Sequence, residues 1–217
     1  PWELPLEFPL FQLIVSFVYR LTSIDLDKAS RITALLFFIS CFFPLFSLAK
    51  RLISKRSAYF VIVVFAFSPF GYQWSRASLI EYSAVFFGLI FVNLVLEIWD
   101  RPSWKNILLT AVFGSLCGLI KVTTLVPMTI FALVICITHF GSLSDFFKRP
   151  RRFLLVASPV LTSLIVARLW TTWANDIRVQ NPATAWLSEK SLAKWNYGTI
   201  DQRLTLENWQ TIFGRID

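Results

Sequence analysis

The stretch Ser68-Pro69-Phe70-Gly71-Tyr72-Gln73-Trp74-Ser75-Arg76-Ala77-Ser78-Leu79-Ile80-Glu81-Tyr82 is a short polar island between two long apolar runs. Ala58 to Phe67 lies upstream and Ala84 to Trp99 downstream, and neither carries a charge before Glu97. An arginine and a carboxylate five residues apart, wedged between segments this apolar, are expensive to place in hydrocarbon. Arg76 and Glu81 therefore belong at a membrane surface or in a wet cavity. Tyr72 and Trp74 beside them are the aromatics expected at a lipid-water boundary.

Composition sets the class. Of 217 residues 56% are hydrophobic, mean hydropathy is +0.61 and Phe alone supplies 22, well above an ordinary soluble domain. The chain reads as a polytopic membrane protein, an all-α transmembrane helix bundle. In a soluble chain the net charge of +8 would suggest nucleic acid. Here Lys and Arg cluster in short loops between apolar runs, where they report orientation, so no nucleic-acid partner is expected. Cys41, Cys117 and Cys136 all fall inside apolar runs and behave as small buried hydrophobes. The chain opens at Pro1 without Met and stops at Asp217 in a polar stretch, which reads as a piece of a longer protein.

Taken in order, residues 1–9 hold Glu3 and Glu7 among three prolines and predict an extended segment. Leu10 to Tyr19 is apolar but interrupted by Gln12 and Ser16 and followed by Arg20, too short to span a bilayer and better suited to an interfacial helix. Six candidate spans follow: roughly Ile32 to Leu48, Ala58 to Phe70, Ala84 to Ile98, Ile107 to Ile120, Leu125 to Ile137 and Phe153 to Trp170. The basic loops are Lys50-Arg51 with Lys55-Arg56, Arg101 with Lys105, and Lys148-Arg149-Pro150-Arg151-Arg152. The positive-inside rule makes them cytoplasmic, and two spans lie between each pair, so the assignment is self-consistent. Three regions result: an extracytoplasmic lead-in and interfacial helix over 1–24, a bundle of about six helices over 25–172, and the start of an extracytoplasmic aromatic-rich segment over 173–217.

That parity collects Glu7, Arg31, Arg76, Glu81, Lys121 and Arg168 on the outer side, the side that should be poor in Arg. Taken singly, each has a structural reading: Arg31 as a helix-end residue snorkelling to headgroups, Arg76 with Glu81 as an ion pair on a solvated turn. Taken together, they suit a lipid-linked phosphate or pyrophosphate, since guanidinium matches phosphate oxygens with paired hydrogen bonds. There is no P-loop, no Gly-rich dinucleotide turn and no His-Glu-x-x-His, and the single histidine, His139, sits at an expected cytoplasmic end. No cofactor is expected, and no metal site built on His or Cys, with a divalent metal left open. In the tail, Trp173, Trp186, Trp195, Tyr197 and Trp209 among polar residues suit either a sugar or lipid headgroup or an interfacial aromatic belt. Leu204 to Phe213 reads as an amphipathic helix with Asn208 and Gln210 on its wet side.

The order Glu7-Phe8-Pro9-Leu10, Ala29-Ser30-Arg31-Ile32, a span ending in Lys50-Arg51-Leu52, then Ser68-Pro69, Ser75-Arg76 and Glu81 ahead of Phe86-Phe87 resembles the membrane core of the GT-C glycosyltransferases. The likeness is to the branch with the protein O-mannosyltransferases and the lipid A aminoarabinose transferase, and it covers about residues 5 to 135. In that branch a His-Pro-Pro or Glu-Lys-Pro element precedes an arginine opening the second span, and a Ser-Arg with an acidic residue five positions on opens the fourth. Glu7 and Pro9 match the first element, Arg31 the second, and Arg76 with Glu81 the third. Phe8 departs from the family's proline or lysine, Glu81 stands where Asp is commoner, and Lys121 follows Gly118-Leu119 where the family has Thr-Lys.

The resemblance implies a transferase that takes a sugar from a polyprenyl-phosphate carrier and attaches it to an acceptor hydroxyl outside the cytoplasm, the acceptor being a glycan, a lipid or a protein. Arg31, Arg76 and Lys121 are then the donor-phosphate residues, and Glu7, Pro9, Glu81, Tyr72 and Trp74 line the substrate cavity. The catalytic base, an acidic residue on the family's first external loop, is expected N-terminal to Pro1. The localisation implied is a bacterial inner membrane with the active site facing the periplasm or exterior. The rival reading from another class is a transporter or flippase for a lipid-linked or anionic substrate, which predicts inverted repeats and mid-membrane charges. No such repeat stands out, and the charges group at span ends. A noncatalytic membrane scaffold is the third reading.

Overall fold

The computed structural model describes residues 5–140 and 150–214, with the side chains of 139, 140, 195–197 and 212 outside the description. Glu3, Lys148-Arg149 of the basic run, and the side chains of His139, Trp195 and Tyr197 accordingly lie outside the described residues. The chain divides into two compact units, Glu7–Trp170 and a second made of Pro1–Leu6 with Thr171–Asp217.

Among its described residues the first unit is built of helices joined by short irregular segments. Its elements are α1 (Leu10–Thr22), α2 (Leu26–Ser40), α3 (Phe42–Leu52), α4 (Lys55–Phe67), α5 (Pro69–Trp74), α6 (Glu81–Asp100), α7 (Trp104–Ile120), α8 (Val122–Phe140) and α9 (Pro150–Gln180), the last continuing into the second unit. The apolar segments read as spans are helical, except that Ala58 to Phe70 is broken at Ser68, where an extended residue (φ −62°, ψ 140°) ends α4 and starts α5. Three stretches, Leu26–Leu52, Glu81–Asp100 and Pro150–Gln180, are long and apolar enough to cross a membrane, while Leu10–Thr22, Trp104–Ile120 and Val122–Thr138 are shorter apolar helices. The molecule is an all-α membrane helix bundle. At 1.5 Å per residue the 20-residue α6 reaches about 30 Å, the thickness of the hydrocarbon core.

α6 is the centre of the bundle. Phe91, Val92, Val95, Leu96, Ile98 and Trp99 are 0–2% exposed, so α6 is apolar around its circumference and packed on more than one side. α7 reaches it through small residues: a side chain at Gly114 would run into Phe91 of α6 and Ser163 of α9, and one at Gly118 into Leu125 of α8 and Ala167 of α9. This Gly-x-x-x-Gly spacing brings backbones together where no hydrophobic effect drives helices to associate. Ser163 Oγ also donates to the Ala111 carbonyl across the α7–α9 contact, at 3.3 Å.

The two ends of α6 are tied by different polar clamps. At its C-terminal end Arg51, the next-to-last residue of α3, donates to the Leu96 carbonyl at 2.9 Å and to the Asn93 carbonyl at 3.4 Å, and pairs with Glu97 and Asp100. Asn93 in turn donates from Nδ2 to the Pro44 carbonyl of α3 at 2.9 Å. Its N-terminal end carries Glu81, at the candidate site described below.

Between α4 and α6 the polar island folds locally. Ser68 caps α5, its Oγ accepting from the Gly71 N–H at 2.9 Å, with Pro69 in the first turn where a missing N–H costs nothing. The chain then runs without regular structure to Glu81.

In the second unit, the end of α9 is followed by a 3₁₀ turn (Ala185–Leu187), α10 (Glu189–Tyr197), α11 (Ile200–Leu204) and α12 (Leu206–Phe213). Asn175 Oδ1 accepts from the Glu189 N–H at 2.8 Å, fastening α10 to the last turns of α9. The helix expected over Leu204 to Phe213 is present as α12 but starts two residues later, at Leu206, because Leu204 ends α11. Thr205 takes an extended conformation, φ −78° and ψ 121°, and a Thr199–Gln202 capping box starts α11 separately. Trp209 Nε1 and Asn208 Nδ2 donate back to the Arg203 and Gln202 carbonyls at 2.6 and 3.0 Å, closing α12 onto α11.

Candidate substrate site

A cavity of about 820 Å³ opens at the end of the first unit where α1, α2 and the loop before α6 meet. Local sequence explains each wall. Residues 5–9 stay out of helix, and the Phe8 N–H donates to the Leu119 carbonyl at 3.0 Å near the end of α7. The Phe8 ring meets Trp170 edge-on, centroids 5.2 Å apart. That double anchor leaves Glu7 on the cavity wall and puts Pro9 at the cap of α1.

α1 is amphipathic. It buries Phe11 and Val15, while Gln12 and Ser16, one turn apart, line the cavity. α2 begins at the Asp25 cap, whose side chain accepts from the Asp27 N–H at 2.8 Å, and this presents Asp27 and Ser30 to the same space. Asp27 Oδ2 also holds Arg31 Nε at 2.8 Å, one turn along α2. Ser78, Leu79, Ile80 and Glu81 complete the lining.

Glu81 opens α6, where a carboxylate complements the helix dipole. Its Oε1 lies 2.7 Å from Lys121 Nζ, with the two side chains only 26% and 30% exposed. Lys121 is the single extended residue between α7 and α8, φ −157° and ψ 97°, so the break that ends one helix also turns this ammonium toward α6. The other oxygen, Glu81 Oε2, is buried and accepts no hydrogen bond among the described residues.

The sequence-selected residues therefore separate into groups. Glu7 and Glu81 line one cavity, Lys121 is bound to Glu81, and Pro9 stands beside Glu7. Arg31 is 58% exposed and attached to a wall residue without lining the wall itself. Arg76 is exposed and does not line the cavity: its Nη1 donates to Tyr72 Oη at 2.9 Å and its guanidinium carbon lies 4.0 Å from the Tyr72 ring centroid. Tyr72 is itself exposed, and Trp74 is half-buried against Phe70, also outside the lining. The Arg76–Glu81 ion pair weighed as a structural reading is not the pair that forms, because Lys121 takes Glu81.

Sequence reasoning missed Asp27, Ser30, Ser78, Gln12 and Ser16. The four-residue spacings Asp27–Arg31 and Gln12–Ser16 were the available signals. Chemically, carboxylates at this wall accept hydrogen bonds from hydroxyls, and a carboxylate near a nucleophilic hydroxyl takes its proton. Among the described residues no cluster of His, Cys, Asp and Glu is placed to hold a metal ion.

Fold and site define an integral membrane helix bundle with a carboxylate-lined cavity at one end and basic groups paired beside it. The chain belongs to the dolichyl-phosphate-mannose-protein mannosyltransferase family, whose sequence model matches residues 5–174 of 217. That membership makes it a membrane glycosyltransferase of the mannosyltransferase type within the GT-C superfamily. No curated protein and no solved structure matches the chain.

Proposed function

We propose that this protein transfers a sugar from a polyprenyl-phosphate-linked donor to an acceptor hydroxyl on the extracytoplasmic side of the membrane. The observation that carries the reading is the convergence of Glu7 and Glu81 on one cavity, with Lys121 bound to Glu81. In the reaction the acceptor oxygen bonds to the anomeric carbon while the bond from that carbon to the phosphate oxygen breaks, inverting the centre. The acceptor proton passes to a carboxylate, and the lipid phosphate leaves with its new negative charge. Arg31, Arg76 and Lys121 are the groups assigned to that phosphate. Arg31 spends only Nε on Asp27, so its terminal nitrogens have no protein partner among the described residues. Lys121 would meet the phosphate by exchanging one anion, Glu81, for another. Glu7, Pro9, Glu81, Tyr72 and Trp74 are assigned to the substrate side of the site. The positive-inside pattern supports a site on the extracytoplasmic side, and the assignment to a bacterial inner membrane, facing the periplasm or exterior, rests on the family resemblance.

The test is transfer in proteoliposomes from a panel of polyprenyl-phosphate sugars, comparing wild type with Arg31→Ala and Arg76→Ala at matched folded amounts. Turnover by wild type and its loss in both variants is the expected result. Movement of donor lipid between leaflets without transfer, in an Arg76-dependent way, would replace the transferase with a transporter.

A further inference from the structure

The walls of the cavity carry a chemical signature of their own. No lysine or arginine is among the residues that line it, and three carboxylates are: Glu7, Asp27 and Glu81. The two cations attached to this wall, Lys121 and Arg31, are held by Glu81 and Asp27. A phosphate placed inside the cavity would face three carboxylates and no cation of the lining, an arrangement that costs rather than binds, so Arg31 and Lys121 can serve it only from outside this wall.

The neutral polar groups point to a different guest. Gln12, Ser16 and Ser78 line the cavity, and none of their side chains has a hydrogen-bond partner among the described residues. They come from two separate parts of the chain, α1 and the loop before α6. Between them an amide and two hydroxyls offer donors as well as acceptors, whereas ionised carboxylates only accept. Apolar side chains such as Phe11 and Leu79 fill the intervening surface. Open donors and acceptors beside carboxylates, with apolar patches between, suit a ring carrying several hydroxyls. A cavity of about 820 Å³ falls in the range of small-molecule sites, roughly 300–1,000 Å³.

Resting on the transferase reading above, we infer that this cavity takes the hexosyl group of the donor, with Gln12, Ser16 and Ser78 as its specificity-determining residues and the lipid phosphate held outside the carboxylate wall. Gln12 and Ser16, being neighbours on one helix face, contact adjacent hydroxyls of the sugar. The glycosyl group and the phosphate are thus recognised by different residues, and the two recognitions are separable by mutation.

The experiment measures affinity in nanodiscs for two kinds of probe: sugar-free polyprenyl phosphate, and the tightest-binding member of a panel of polyprenyl-phosphate monosaccharides. Wild type is compared with Gln12→Ala and with Ser16→Ala, with thermal unfolding of each protein as the folding control. Both changes fall on the cavity side of α1 rather than in the buried core, so a folded pair of variants is available. The expected result is that each variant loses about tenfold in affinity for the sugar-bearing lipid, the scale of one to two hydrogen bonds, and nothing for the sugar-free lipid. Equal losses for both lipids, or no loss for either, overturn the inference while leaving the transferase reading standing. So does unchanged donor affinity with a raised KM for the acceptor, which would make the cavity an acceptor site. If wild type binds neither lipid, the transferase reading fails and this inference falls with it.

Discussion

Lys121 Nζ sits 2.7 Å from Glu81 Oε1 and thereby fixes the one-residue break between α7 and α8 to the first residue of α6. Three helices that are adjacent in sequence are locked at one end by a single ion pair. Because both side chains are about three-quarters withdrawn from solvent, removing one partner strands the other charge in a poorly solvated place. We expect Lys121→Ala and Glu81→Ala each to lower bundle stability, and the double variant to cost less than their sum by about 1–2 kcal/mol. A double-mutant cycle by thermal unfolding in detergent reads this coupling, and strict additivity would show that the pair contributes nothing to the fold.

At the opposite end of α6 the tie is Arg51, which donates to two carbonyls and pairs with two carboxylates of that helix. One planar guanidinium serves all four, a geometry an ammonium does not reproduce. Arg51→Lys is therefore expected to recover less than half of what Arg51→Ala loses, the loss being about 2–3 kcal/mol from charge-assisted hydrogen bonds. Chemical unfolding of both variants beside wild type decides it. Full rescue by Lys would mean that net charge, not the fork, holds α3 to α6.

These two clamps show what the amino-acid sequence discloses and what it conceals. Apolar runs bounded by basic loops are one-dimensional signals, so the helical course of the apolar segments and the short amphipathic α1 were legible from hydropathy alone, while the break at Ser68 inside the expected Ala58 to Phe70 span was not. Glu7, Glu81 and Lys121 were singled out because charges at span ends are rare and costly. Their partners were not legible. Glu81 and Lys121 are forty positions apart, and Arg51 reads as an ordinary loop cation until α6 is laid beside it. Gln12 and Ser16 interrupt an apolar run, which weakened it as a span without revealing that they face a cavity. Arg76 stood out as part of the polar island, yet its nearest partner is Tyr72, one turn away. The start of the last helix at Leu206 instead of Leu204 turned on one extended residue, Thr205, whose side chain gives no strong breaking signal.

The glycines of α7 lead to a packing prediction. An added methyl at Gly118 would come within 2.8 Å of Ala167 Cβ and 2.7 Å of Leu125 Cδ2. The leucine tip can turn aside, but the alanine carbon moves only with the backbone of α9. Gly118→Ala should cost about 1–3 kcal/mol through overpacking, and Gly118→Val more. Gly198, in the second unit, has φ +67°, and Gly198→Ala there strains the backbone without touching the bundle core. A fluorescence-detected thermal melt of the three variants should place Gly118→Val lowest. Equal melting for Gly118→Ala and wild type would show that α7 and α9 are not packed this closely.

Asp27 and Arg31 allow the binding role of the site to be separated from its stability. Their pair is an i,i+4 contact with both side chains nearly 60% exposed, and such pairs contribute about 0.3–0.5 kcal/mol to a helix. Asp27→Ala should therefore leave the melting temperature almost unmoved. Yet Asp27 grips Arg31 by Nε alone, which steers the guanidinium while leaving its terminal nitrogens for an anion. If Arg31 binds the donor phosphate, freeing it adds conformational entropy that each binding event must overcome. The expected signature is a KM for the lipid-phosphate donor raised roughly three- to tenfold, with kcat changed by less than about twofold, because uniform binding is lost and not transition-state stabilisation. Arg31→Ala should raise KM further, and Asp27→Ala added to it should then have little additional effect on donor binding. Steady-state transfer in proteoliposomes measures all three. A fall in kcat with KM unchanged in Asp27→Ala would move Asp27 from positioning an arginine to acting on the reacting groups themselves.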